Sequence, residues 1–178
     1  FATRGVDAVY LPFAVHPDRL AEAISGVRAL GIAGLNVTLP HKTAVMDLLD
    51  EVDPRARAIG AVNTIVREGD ALRGHNTDAI GLARSILEHG TTIKNQRVVV
   101  LGAGGAARAA VVGLAEQGAR EITVLSRRPE QAVSLCQQLD EICGDCSVTP
   151  GVMGQDEGKL FESCDLLVQS TSATLGEH

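Results

Sequence analysis

A run of β-branched residues that ends on a glycine-rich turn and passes straight into a small apolar helix constrains this chain more than any other feature. Arg97 to Leu101 reads RVVVL, Gly102 to Ala107 reads GAGGAA, and an alanine-rich apolar stretch continues to Gln117. Val restricts its first side-chain torsion and suits a pleated surface, whereas Ala is the strongest helix former. Strand, turn and helix in that order define the setting of a dinucleotide fingerprint. Within the turn formed by Gly102, Ala103, Gly104, Gly105 and Ala106, Gly102 permits the tight bend and Gly104 lets backbone approach a pyrophosphate. Ala107 takes the third small position. The helix start then offers unpaired amides and the positive end of a dipole to an anion. Glycines also serve plain strand-to-helix turns; placement between a β-rich run and an apolar helix is what favours the phosphate reading.

The alternation continues on both sides. Glu121 to Leu125 and Leu166 to Gln169 are strand-like, Pro129 to Cys143 is helical, and Ser147 to Thr149 suggests a further short strand. Strands alternating with helices imply a parallel sheet. Earlier, the pattern predicts strands at Ala8 to Pro12 and Gly34 to Thr38. It predicts a helix over Asp18 to Leu30 with Leu20, Ile24, Val27 and Leu30 on one face, and a short helix around Val45 to Leu49. A helix beginning at Pro54, strands at Ala61 to Arg67 and Leu72 to His75, and a helix from Asp78 to about Glu88 complete the reading. That last helix is expected to join two α/β lobes flanking a cleft.

The end of the strand after the glycine turn distinguishes cofactors. An acidic residue there would bind a ribose hydroxyl, but Ser126, Arg127 and Arg128 supply a hydroxyl and two guanidinium groups suited to a 2'-phosphate, which favours NADP over NAD. Two arginines in a loop also serve simply as solvated charge.

Three segments in the first half share a polar character: GLNVTLPHK at Gly34 to Lys42, GAVNTI at Gly60 to Ile65, and GHNTDAIG at Gly74 to Gly81. Pro40 fixes its own torsion and biases Leu39 towards extended geometry, so Lys42 leaves the loop in a defined direction. Thr38 adds a hydroxyl, Asn63 a donor and an acceptor, and Asp78 an acceptor, an inventory suited to a polyhydroxylated small-molecule substrate. Alternatively, Lys42 is an ordinary solvated lysine in a first helical turn, and Asn76, Thr77 and Asp78 form a turn and helix cap.

Composition excludes several classes. With 22 acidic and 16 basic residues the formal charge is -6, and only four residues are aromatic, which argues against nucleic acid as a partner. No apolar run approaches the roughly 20 residues that span a bilayer, and the N-terminus lacks a signal-peptide layout, so a cytoplasmic location without membrane association is expected. Four cysteines, Cys136, Cys143, Cys146 and Cys164, crowd the last quarter. The spacing of Cys143 and Cys146 suits zinc or redox chemistry, but Cys136 and Cys143 lie seven apart on one helix face with no histidine before Cys164. Free thiols and no bound metal are expected.

Taken in order, the polar segments and the glycine turn resemble the shikimate dehydrogenase family, NADP-dependent enzymes that interconvert 3-dehydroshikimate and shikimate in aromatic amino-acid and chorismate biosynthesis. The resemblance implies Lys42 and Asp78 as the paired catalytic residues and Thr38 and Asn63 as substrate contacts. It also implies Gly102, Gly104, Gly105 and Ala106 as the pyrophosphate loop, Arg127 as the adenosine-phosphate arginine, and Thr171 on the cofactor side. The implied fold is a pair of α/β lobes, a substrate lobe at residues 1–77 and, with its linker helix, a Rossmann-like NADP lobe at residues 78–178. Both are expected to be incomplete, the first lacking a strand and serine-rich carboxylate loop before Phe1, the second lacking strands after His178. Gln169 replaces a usual asparagine, Arg128 a usual small hydroxyl residue, and Gly176, after Ser172, comes late. A quinate-preferring relative, a non-catalytic metabolite sensor and an inactive fragment are the alternatives.

Overall fold

The computed structural model describes residues 2–155 and 157–171. Ser172 and Gly176 therefore lie outside the described residues.

The first half is built on a mixed four-stranded sheet. Helix α1 (Leu20–Ala29) buries Leu20, Ile24 and Val27, spaced four and three apart along one face. Strand β1 (Gly34–Asn36) leads through turns at residues 39–43 into a 3-10 segment, Ala44–Leu48, and then strand β2 (Glu51–Val52). Helix α2 (Pro54–Ile59) starts on Asp53, whose side chain accepts from the Ala56 amide, and stops at Gly60 with φ 73°, a left-handed residue that glycine adopts without penalty. Strands β3 (Thr64–Glu68) and β4 (Ala71–His75) form a hairpin, giving the order β1-β3-β4-β2 with only β2 and β4 parallel. Asp50 fastens this unit: it accepts from the Leu72 amide and from Arg28, and the Arg28 bond, followed by the amide, holds its carboxyl below the usual range.

Helix α3 (Asp78–Glu88) leads to the second sheet, made of β5 (Arg97–Leu101), β6 (Glu121–Ser126), β7 (Ser147–Val152) and β8 (Leu166–Gln169). Its order is β7-β6-β5-β8 and all pairs are parallel. Val98, Val99 and Val100 are all buried, which explains an unbroken apolar run: β5 lies inside a sheet covered on both faces. Helix α4 (Gly105–Glu116) is buried almost all round, from Ala107 through Leu114. Gly113 lets it lie against α3 at backbone distance, since a Cβ there would sit 2.5 Å from the Ala79 carbonyl oxygen. Helices α5 (Pro129–Cys143) and α6 (Glu157–Ser163) complete the unit.

Three expectations change. Residues 8–12 form no strand; their local bond runs from the Ala8 amide to Val6, and Val9, Tyr10, Leu11 and Phe13 stay exposed beside α1 and β1. A strand is defined by its ladder, and among the described residues no strand pairs with this segment. The strand at Gly34 ends at Asn36, before a cis Leu39–Pro40 peptide. Conversely, the weak strand at Ser147 extends to Val152 through six registered pairs with β6.

Cys136 and Cys143 are buried on one face of α5, and Cys146 is buried just beyond it. Burial pushes their thiols from about 9 up to about 11, about 12 and about 11 respectively. Because the folded thiols hold their protons more tightly than unfolded ones, their stabilising contribution is complete below about pH 9 and disappears between pH 9 and 12. Each thiol steepens the alkaline fall in stability by up to about 1.4 kcal/mol per pH unit. Urea melts from pH 8 to 11 should show a shallower fall for the Cys143→Ala, Cys146→Ala double variant than for the parent; equal slopes would show that these thiols do not couple to folding.

Candidate functional site

Backbone bonds around residues 60–63 assemble the polar site. The Val62 amide donates to the Lys42 carbonyl at 2.8 Å, the Val37 amide to the Asn63 carbonyl at 2.8 Å, and the Asn63 amide to the His75 carbonyl at 3.0 Å. The Asn76 side chain adds a bond to the Ala61 carbonyl at 2.9 Å. Consequently the three polar segments, distant in sequence, meet around one extended stretch.

Their side chains then form a connected set. Lys42 Nζ donates to Asp78 Oδ2 at 2.7 Å, and Asn63 Nδ2 donates to Asp78 Oδ1 at 2.7 Å. Asn63 Oδ1 accepts from the Thr77 amide and from Thr64 Oγ1, each at 3.0 Å. Asn63 is buried, so its orientation is fixed from both ends of its amide, whereas Lys42 and Asp78 keep 26% and 38% of their side chains exposed. A half-exposed ion pair of this kind adds only about 0–1 kcal/mol to stability. Its clearer consequence is geometric: the ammonium is aimed, and its other protons remain for a ligand. Thr38 sits exposed in the same turn, next to the Val37–Asn63 link.

The turn reading of residues 76–78 needs refinement. Asn76 Oδ1 accepts from the Asp78 amide at 3.0 Å, while Thr77, the residue preceding α3, makes no side-chain cap. The Thr77 hydroxyl is instead within 3.0 Å of Asn63 Nδ2. Thr77 therefore supports Asn63, a role beyond the sequence reading; two Asn-Thr pairs at strand ends were the available signal.

The glycine turn lies at the end of β5 where the strand order reverses, with β6 on one side and β8 on the other. That switch point is where open parallel sheets bind ligands. Gly102 has φ 106°, and a Cβ on it would meet Ser170 Oγ at 3.0 Å and Thr171 Cγ2 at 3.1 Å, so the β8 end brings Thr171 beside the turn. Ala103 is half-buried between them and Ala106 is exposed in the first turn of α4. A Cβ on Gly104 or Gly105 would meet nothing within 4 Å, and no side chain caps α4. Open space before uncapped helix amides fits a pyrophosphate. At the end of β6, Ser126 is buried and its hydroxyl accepts from the Arg128 amide at 3.1 Å, which shapes the turn, while Arg127 and Arg128 are exposed. Among the described residues, no group of three His, Cys, Asp or Glu could hold a metal ion, and no helix is long and apolar enough to cross a membrane.

Replacing Asn63 with Leu keeps the size but leaves the Thr77 amide unpaired and frees Asp78 on one side. The hydrogen bonds lost with this buried side chain are worth about 0.5–1.5 kcal/mol each net. Denaturant melts of Asn63→Leu should show a loss of about 2 kcal/mol; a loss below about 0.5 kcal/mol would mean that water replaces Asn63 there.

Comparison with known proteins gives the family. The family model for the shikimate dehydrogenase substrate-binding domain matches residues 1–65, and that for shikimate / quinate 5-dehydrogenase matches residues 81–175. A shikimate dehydrogenase (NADP(+)) of Geobacter metallireducens is 45% identical over 177 residues, covering 97% of this chain and 61% of its own length. Among solved structures, shikimate 5-dehydrogenase of Listeria monocytogenes, in complex with shikimate and NAD, superposes with a TM-score of 0.90 at 32% identity, over 97% of this chain and 61% of that one. The ligand-free 5-ketofructose reductase of a Gluconobacter strain gives 0.85 at 36% identity, over 96% and 61%. The chain thus spans about three-fifths of the length of the relatives it matches. On the match of the catalytic-family model to more than half of its residues, joined to a reversed-order parallel sheet and the Lys42–Asp78–Asn63 set, the chain belongs to the shikimate / quinate 5-dehydrogenase family.

Proposed function

We propose that these residues form part of an NADP-dependent oxidoreductase that interconverts 3-dehydroshikimate and shikimate, acting in the cytoplasm in aromatic amino-acid biosynthesis. Residues 1–77 form the substrate lobe, and residues 78–178 the linker helix, which starts with the substrate contact Asp78, and the cofactor side. The observation that supports this most directly is the aimed ammonium: Lys42 on one oxygen of Asp78, with Asn63 on the other.

The chemistry follows from those atoms. When bound, the nicotinamide supplies or accepts a hydride at the substrate's ring carbon, so the oxygen on that carbon must gain or lose a proton. Lys42 is placed to move that proton and to stabilise a developing alkoxide by its charge. Asp78 orients the ammonium and accepts from a substrate hydroxyl, Thr38 supplies a further hydroxyl contact, and Asn63 keeps the carboxylate in place. The amides of Gly104, Gly105 and Ala106 would hold the pyrophosphate, and Arg127, with Arg128 and Ser126 shaping its loop, the adenosine 2'-phosphate. Thr171, beside Gly102, borders the same turn on the β8 side.

A second reading has its own support. The Gluconobacter neighbour is named for a different polyhydroxylated carbonyl compound, yet it matches this chain over as large a share as the shikimate enzymes do. An Asp-oriented lysine suits reduction of any such ketone. Assay of the complete polypeptide with shikimate, quinate and 5-ketofructose separates the readings: preference for shikimate supports the first, and preference for 5-ketofructose replaces it.

For Lys42→Ala, turnover is expected to fall about 10²- to 10⁴-fold, the usual contribution of a positioned acid or base, with substrate binding weakened far less. Equal losses in steady-state kinetics and calorimetric binding would reduce Lys42 to an anchor. Arg127→Ala is expected to lower the preference for NADP over NAD by at least tenfold in comparative kcat/KM, and an unchanged preference would remove Arg127 from cofactor selection.

A further inference from the structure

Arg108 spans the two halves of the molecule from a position that neither the glycine turn nor the polar segments identify. It stands in the first turn of α4, and its backbone amide donates to the Gly104 carbonyl at 3.0 Å, closing the cradle's own turn. Its side chain reaches across to the first half: Nε donates to the Ile59 carbonyl and Nη2 to the Ala58 carbonyl at 3.3 Å, while Nη1 donates to Gln138 Oε1 on α5 of its own unit at 2.8 Å. The guanidinium also lies against Gly60, with Nη2 3.4 Å from where a Cβ would be. The two backbone acceptors are the last carbonyls of α2, where a cation is favoured by the helix dipole.

Those carbonyls immediately precede the stretch that organises the polar site. Gly60 is the left-handed stop of α2, Ala61 accepts from Asn76, Val62 holds Lys42, and Asn63 holds Asp78. Only residues 60–62 thus separate the guanidinium's main acceptor, Ile59, from the side chain that orients the carboxylate, Asn63. Desolvation lowers the Arg108 pKa, so the bonds to Ile59 and Ala58 are what a partly buried charge relies on. The opposite end of α4 is tied to α2 as well, through Arg55 Nε and Glu116 Oε1 at 2.9 Å.

We infer that Arg108 is a positioning residue that sets the pyrophosphate turn against the Lys42–Asp78–Asn63 site and conveys nucleotide binding at Gly104–Ala106 to residues 60–63. An anion drawn onto the first-turn amides of α4 fixes the backbone that Arg108 closes, and the guanidinium fixes the end of α2. The relative placement of hydride carrier and ammonium is then set through one side chain. Misplacement by about 1 Å costs about 100-fold in rate, which gives the scale expected.

The kinetic arm rests on the proposed activity; an exchange arm does not. Arg108→Met in the complete polypeptide is expected to lower kcat about 100-fold, with shikimate KM and NADP Kd within threefold of the parent. Arg108→Lys, which keeps a cation able to reach one carbonyl, should recover part of that loss and serves if the Met variant fails to fold. Arg55→Ala, which breaks the tie at the far end of α4, should leave kcat within threefold. Independently of turnover, NADP alone should slow amide hydrogen exchange at residues 60–63 in the parent, and that protection should disappear in Arg108→Met and return in part in Arg108→Lys. If the parent turns over none of the three substrates, the activity reading fails and the exchange result decides the inference. An unchanged kcat in folded variants, an NADP Kd weakened more than tenfold with kcat intact, or a parent whose residues 60–63 do not respond to NADP would each overturn it.

Discussion

The geometry of both halves depends on the seam where α4 rests against α3. Gly113 has no side chain to hold the helices apart, and the Ala79 carbonyl fills the space a Cβ would need. Ala79 follows Asp78, and Gly113 lies two turns beyond the cradle on the same rigid helix, so this contact fixes how far the carboxylate stands from the phosphate turn. Close packing makes such a seam a discrete arrangement and not a sliding one, because an added methyl group would have to displace backbone. The core reflects this: Ile59 and Ala61 from the first half pack in the same cluster as β5, α4 and α5.

What the amino-acid pattern disclosed, and what it concealed, follows from the range of the interactions. The RVVVL–GAGGAA boundary was legible because every signal in it is local: β-branched residues, then glycines, then alanines. Leu20, Ile24 and Val27 on α1 were legible for the same reason, their spacing matching the helical period, whereas Leu30, expected on the same face, lies just past the helix end and is 78% exposed. Residues 8–12 looked equally strand-like, but pairing is a property of two segments, and the apolar pattern of Val9, Tyr10 and Leu11 carries no information about a partner. The extension of β7 to Val152 was hidden for the converse reason, since Pro150 and Gly151 have poor intrinsic preference for a strand and are held there by β6.

In the site, residue types were readable and connections were not. Lys42 and Asp78 stood out by their neighbours in sequence, yet the bond between them spans 36 positions. The use of the Thr77 hydroxyl on Asn63 depended on β3 and β4 placing two Asn-Thr pairs side by side, whereas the Asn76 bond to the Asp78 amide is local and belonged to the expected turn. Arg108 lay inside the apolar helix that followed the glycine turn and gave no local sign of its acceptors, 49 and 50 positions earlier. Among these, the polar network is completed by neutral groups around a single ion pair, which limits the charge that must be desolvated.

The neutrality of Asn63 has a consequence for chemical ageing. Its amide nitrogen lies 2.7 Å from one Asp78 oxygen, and only a donor is tolerated there. Hydrolysis of that amide to a carboxylate would set two acids at the same distance, where both cannot stay ionised, and would turn the partner of the Lys42 ammonium into a shared proton site. A change of one heavy atom's identity, with almost no change of shape, would therefore alter the charge that the Lys42 ammonium faces.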